Sequence, residues 1–141
     1  MALMEMGVRA LSTRLPKVIS PKNHAIIDYA TAGSFFLMVP FLWRRNKRAA
    51  IVSLVCGGVE TATSLMTDYP GGVAKMISFP THGRLDSGLA GVFASLPSLM
   101  GFADQWQAWF FRTQGMSVGA VAAMTDFEVA PARIRRRRYA A

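Results

Sequence analysis

The sequence predicts an all-α protein, a four-transmembrane-helix bundle made of two tandem helical hairpins. Three observations lead there. Hydrophobic residues make up 52% of the 141-residue chain and charged residues only 17%, against a usual charged share of roughly 25%. The apolar residues gather in four stretches, 25–43, 49–66, 85–103 and 107–124, each close to the ~20 residues that cross a hydrocarbon layer. The chain also repeats itself, without a gap, at an offset of 58 residues.

The elements follow in order. Residues 1–19 form a basic N-terminal segment, expected either to lie as a short amphipathic helix on the membrane surface or to fray. It lacks the long uninterrupted apolar core of a signal peptide. Residues 20–69 are the first transmembrane hairpin. Asn23, after Pro21, is the expected cap of its first helix. Val39-Pro40-Phe41 is expected to kink or end that helix, and Arg44 to Arg48 to turn the chain. The second helix is expected to stop at Asp68-Tyr69-Pro70-Gly71-Gly72, because proline and paired glycines do not extend it. Residues 70–77 are a linker. Residues 78–127 are the second hairpin, with Thr81, after Pro80, as its expected cap and Pro97 in the place of Pro40. Residues 128–141 are an Arg-rich tail carrying Arg135, Arg136, Arg137 and Arg138.

The repeat is the most specific signal. Ser20 matches Ser78, His24 matches His82, and Asp28 matches Asp86. Ala32-Gly33 matches Ala90-Gly91, Gly57 matches Gly115, and Met66-Thr67-Asp68-Tyr69 matches Met124-Thr125-Asp126-Phe127. Two spans per copy give both hairpins the same orientation, so a pseudo-two-fold axis along the membrane normal is expected. Both termini and the 68–84 loop then share one side. That side carries most of the basic residues, and the positive-inside rule makes it cytoplasmic. Trp43, Trp106 and Trp109 fall on the opposite side, as an interfacial belt would. Small residues at four-residue spacing (Ser53, Gly57 and Thr61; Gly83, Ser87, Gly91 and Ser95; Gly115 and Gly119) allow close helix packing in lipid.

The polar residues that the repeat keeps are the candidate site. His24 and Asp28 lie four apart and share a helix face, as do His82 and Asp86. Thr67-Asp68 and Thr125-Asp126 close the descending helices, so all eight residues are expected at one membrane face. Three roles compete for them: clamps between helices, a site for a metal ion, or the mouth of a proton or ion path continued inward by Glu60. Glu60 has no acidic twin, since Val118 holds its place in the second copy, and Arg112 is one potential partner. Glu60, Ser64 and Asp68 recur every four residues and are expected on one helix face.

Other chemistries are poorly supported. Cys56 is the lone cysteine, which excludes an internal disulfide and a thiolate cluster. Phosphate-binding and dinucleotide fingerprints are missing, as is a G-x-S-x-G nucleophile setting. The net charge of +8 suits anionic headgroups, with the tail arginines as lipid contacts, better than nucleic acid.

Ser20-Pro21-Lys22-Asn23-His24-Ala25-Ile26-Ile27-Asp28-Tyr29-Ala30-Thr31-Ala32-Gly33 and Pro80-Thr81-His82-Gly83-Arg84-Leu85-Asp86 resemble the hairpin openings of small bacterial multi-span membrane proteins of the SPW-repeat type. So does Ala94-Ser95-Leu96-Pro97-Ser98-Leu99-Met100-Gly101-Phe102, and the likeness covers about residues 20–127. Neither copy holds the Ser-Pro-Trp triplet itself. The resemblance implies a bacterial inner-membrane protein and no particular activity. The leading expectation is therefore a membrane protein without catalytic activity. It would serve as a structural or interaction subunit, alone, as a homo-oligomer or in a larger membrane complex. The alternative is metal or ion handling by the His/Asp and Thr/Asp cluster.

Overall fold

The computed structural model describes residues 15–128, and the chain over that range is all-helical. Its four helices are α1 (Pro21–Trp43), α2 (Lys47–Met66), α3 (Phe79–Leu99) and α4 (Gln107–Met124). The expected surface helix near the N-terminus and the arginine tail fall outside the described residues.

Helices α1 and α2 pack closely as one hairpin, α3 and α4 as the other, and the two hairpins touch each other more sparingly. A shared core of Phe35, Leu42, Phe93, Phe102 and Phe111 fills the space between them. Within the second hairpin the approach is very close. A Cβ added at Gly115 would stand 2.5 Å from the Ala90 carbonyl oxygen and 2.8 Å from the Ala94 nitrogen. Backbone lies where a side chain would be, which is the physical use of this small residue.

The helix starts correct two expectations. Ser20 and Ser78 are the caps, accepting hydrogen bonds from the Asn23 and Thr81 backbone nitrogens at 3.3 Å each. Asn23 and Thr81 therefore sit inside the first turn. Pro21 and Pro80 are in that turn too, where a missing N–H costs nothing and a fixed φ favours the helix. Pro40 and Pro97 lie within α1 and α3, each of which ends shortly afterwards.

At the turn end of the molecule Asn46 caps α2 and also donates to Gln105 of the other hairpin at 2.8 Å. Arg48 donates to the Met100 carbonyl at 2.8 Å, a second tie between the hairpins. At the opposite end the segments entering and leaving the hairpins pair reciprocally. Thr67 forms an isolated parallel bridge with Ile77, and Thr125 forms one with Ile19. The repeat maps each bridge onto the other, so the two hairpins are related by a pseudo-two-fold axis.

By length and composition, α1 and α2 are apolar enough to cross a membrane. α3 and α4, which carry Arg84, Asp86, Arg112 and Gln114, do not reach that mark. The four equal spans expected from the sequence are therefore two strongly apolar helices and two more polar ones.

Candidate functional site: a buried His/Asp quartet

The first turns of α1 and α3 meet on the pseudo-two-fold axis. Capping by Ser20 and Ser78 starts both helices in the same register, and i, i+4 spacing then puts each histidine over its aspartate. His24, Asp28, His82 and Asp86 are all buried, at 0, 4, 0 and 1% exposure.

The contacts form a crossed square. His24 Nε2 lies 3.3 Å from Asp28 Oδ1 in its own helix and 3.0 Å from Asp86 Oδ2 in the other. His82 Nε2 lies 3.3 Å from Asp86 Oδ1 in its own helix and 3.1 Å from Asp28 Oδ2 in the other. The two imidazole rings stand edge-to-face with centroids 5.2 Å apart.

The other ring nitrogen is held by threonine. His24 Nδ1 meets Thr125 Oγ1 at 2.8 Å, and His82 Nδ1 meets Thr67 Oγ1 at 2.8 Å. Each hydroxyl has one proton, and each donates it to the carbonyl four residues back, Thr125 to Val121 and Thr67 to Thr63. The threonine oxygens can then only accept, so both Nδ1 atoms carry the proton and donate. In a neutral imidazole this leaves a lone pair on Nε2, facing carboxylates.

Comparison with protein-family models, characterised proteins and solved structures returns no match. The site is therefore read from its own geometry.

The structure brings together six of the eight expected residues and leaves two outside. At Thr67 and Thr125 the backbone turns extended, with ψ of 141° and 137°. Successive side chains then point to opposite sides. Thr67 and Tyr69 face inward and Asp68 faces out, where Lys75 pairs with it at 3.0 Å. Asp126 likewise stays outside the quartet and accepts from the Glu128 backbone nitrogen. The histidines' carboxylate partners are thus Asp28 and Asp86, and not the aspartates that close the descending helices. Asp68 also lies beyond the end of α2, so it does not continue the face of Glu60 and Ser64.

Glu60 is buried at 1% exposure, and its Oε2 has no hydrogen-bond partner among the described residues. Arg112 bonds instead to the Ala103 carbonyl at 3.3 Å.

Tyr69 is the site residue that motif reading passed over. Its hydroxyl donates to Asp28 Oδ2 at 2.7 Å. Burial, together with the negative charge of Asp28, raises its pKa above the ordinary phenol value. Phe127 holds the matching place in the second copy and brings no hydroxyl; the Asp86 oxygen equivalent to the one Tyr69 bonds, Oδ2, contacts His24, and Asp86 Oδ1 has no hydrogen bond among the described residues. Phe79 and Phe127 close the quartet from outside, with ring centroids 5.5 and 5.3 Å from that of His24. Gly83 makes this lid fit, since a Cβ there would stand 2.7 Å from the Phe127 ring. The Tyr-for-Phe difference was visible in the repeat; that it falls on the quartet was not.

Chemically, four polar groups with alternating capacity for charge are sealed from water at the joint of two hairpins. Each could offer one ligand atom to a metal ion, and these atoms all lie within 4.8 Å of one another.

Proposed function

We propose that this chain is a small multi-pass membrane protein of the bacterial cytoplasmic membrane. In this reading its two hairpins are fastened by the quartet, and it acts as a structural or interaction subunit. The observation that carries the membrane reading is an inverted distribution of polarity. His24, Asp28, Ser53, Glu60, Ser64, Thr67, His82 and Asp86 are inside. Ile26, Leu37, Phe41, Ile51, Leu54, Val55, Trp109 and Met116 are outside. Water would leave such an outer surface poorly solvated, whereas lipid covers it and leaves the polar groups to pair within.

Further features support the same placement. Trp43, Trp106 and Trp109 are exposed at the turn end, where a headgroup layer would receive them. Arg44, Arg45 and Lys47 lie exposed or partly exposed beside them and suit anionic headgroups. The quartet, at the opposite end, shares its side with both termini, which the excess of basic residues assigns to the cytoplasm. The resemblance to SPW-repeat-type proteins agrees with this arrangement.

The quartet's role follows from its place. Each histidine contacts the other hairpin through both ring nitrogens, so the four residues join two units that otherwise pack sparingly. A buried network of this kind is strong only when complete, and truncating one member strands the rest.

Fractionation tests the membrane reading. The protein is expected to stay with membranes through alkaline carbonate and to leave them only with detergent; recovery as a soluble monomer would refute it. The double substitution His24→Ala with His82→Ala is expected to lower the melting temperature sharply in detergent. A subunit role predicts co-purification of a larger assembly in mild detergent.

A further inference from the structure

Two buried histidines facing two buried aspartates can be neutralised by two protons or by one divalent cation. The hydrogen bonds suit a proton at His24 Nε2, which contacts Asp86 Oδ2 at 3.0 Å, but they leave His82 Nε2 and Asp86 Oδ1 unclaimed among the described residues. With Nδ1 of each ring donating to threonine, a proton on Nε2 would need a carboxylate oxygen in line with its N–H. His82 Nε2 has carboxylate oxygens at 3.1 and 3.3 Å, yet it makes a hydrogen bond to neither, and Asp86 Oδ1 is equally unpartnered. The nitrogen is buried and close to both carboxylates, yet it is claimed by neither.

The oxygens sort themselves as well. Asp28 Oδ2 is taken by the Tyr69 hydroxyl, which leaves Oδ1. Asp86 Oδ2 lies 3.0 Å from His24 Nε2, a contact that a cation on that nitrogen would replace, and Asp86 Oδ1 has no partner among the described residues. Each remaining Oδ1 is 3.3 Å from the Nε2 of the histidine one turn before it. A tetrahedral zinc ion with bonds of about 2.0–2.1 Å has ligand-to-ligand edges of about 3.3–3.4 Å, which these two pairs match; the four groups as a whole lie within 4.8 Å and would close in around the ion. Two neutral imidazoles, two carboxylates and one divalent cation also sum to zero charge, which removes the main cost of burying the carboxylates.

We infer that His24 Nε2, Asp28 Oδ1, His82 Nε2 and Asp86 Oδ1 bind one divalent first-row transition cation of the zinc class. Each His-x-x-x-Asp acts as a chelating pair on a helix face, and Thr67 and Thr125 are positioning residues that hold the ring tautomers. This deepens the clasp reading and rests on it, since the cation would tie hairpin to hairpin. Four protein ligands in a sealed site leave no open position, so the ion's role is structural rather than hydrolytic.

The test uses the full-length protein, purified in mild detergent, stripped with chelator and titrated with Zn²⁺ and with Co²⁺. One equivalent of either ion, tetrahedral ligand-field bands from cobalt and a rise in melting temperature are expected. Asp28→Asn with Asp86→Asn should abolish the cobalt bands. Thr67→Val with Thr125→Val keeps all four ligands and should weaken the affinity 10–100-fold with unchanged helical content. A folded, stripped wild-type protein that takes up neither ion and shows no shift in melting overturns the cation site. The clasp reading fails separately, if His24→Ala with His82→Ala leaves the melting temperature of the metal-free protein unchanged. Affinity unaltered by the threonine substitutions also counts against the site, because the tautomer argument would be void.

Discussion

Tyr69 and Glu60 are two of the places where the copies of the repeat part company: Tyr69 bonds to Asp28 of the quartet, and Glu60 is buried where the second copy has Val118. Tyr69→Phe reproduces the second copy's own residue at that place. It leaves Asp28 Oδ2 short of a donor and is expected to cost about 1–3 kcal/mol, read as a lower melting temperature in detergent. The raised pKa of Tyr69 carries a sign. A group whose folded pKa lies above its unfolded value adds stability below the unfolded value and loses it as pH rises. Wild type should therefore lose stability above about pH 10 more steeply than Tyr69→Phe does, which pH-dependent melting of the two would show. Glu60→Val substitutes the residue found at Val118. It removes a buried oxygen that has no partner, so a higher melting temperature is expected. A marked fall instead would mean that Glu60 holds a bond essential to the fold.

At the scale of elements, the repeat spacing was enough to place both hairpins, and the helices begin and end close to where turn chemistry predicts. The caps lie one turn ahead of the expected positions, so Ser-Pro and Ser-Phe-Pro belong to the helix starts themselves. Proline is in fact at home in a first turn whose N–H groups have no helical acceptor. Ser20→Ala and Ser78→Ala should each cost about 1 kcal/mol in thermal or chemical melts. The glycine stripe makes a sharper prediction. Gly115→Ala drives a methyl against the backbone of α3 and should cost about 1–3 kcal/mol. Gly119→Ala, whose new Cβ would meet Ala90 Cβ at 3.5 Å, should be tolerated. Equal effects at the two sites, measured by melting, would contradict the packing described.

Over the whole molecule, the inverted polarity ties topology to the site. If lipid surrounds the outer faces, the quartet lies at the cytoplasmic end of the pseudo-two-fold axis and the tryptophans lie at the other. Reporter fusions at either terminus should then be active on the cytoplasmic side, and a cysteine placed at Asn46 should react with impermeant reagents from outside. The reverse pattern would turn the protein over while leaving the quartet intact.

Periodicity and self-similarity are local in the chain, so helices, turns and the duplication were legible residue by residue. Matching segments also imply equivalent positions around an axis, which is why His24, Asp28, His82 and Asp86 could be expected at one end of the bundle, together with the Thr-Asp pairs. What they touch could not be read in this way. A two-residue swing from helix to extended backbone sends Thr67 and Thr125 inward and Asp68 and Asp126 outward, and only the packed ends of the hairpins set that direction. The proton on each Nδ1 is likewise decided by a hydroxyl from the opposite hairpin, a contact between residues 101 apart for His24 and Thr125. Hydrogen-bond direction depends on partners that folding brings together, and linear spacing carries no record of it.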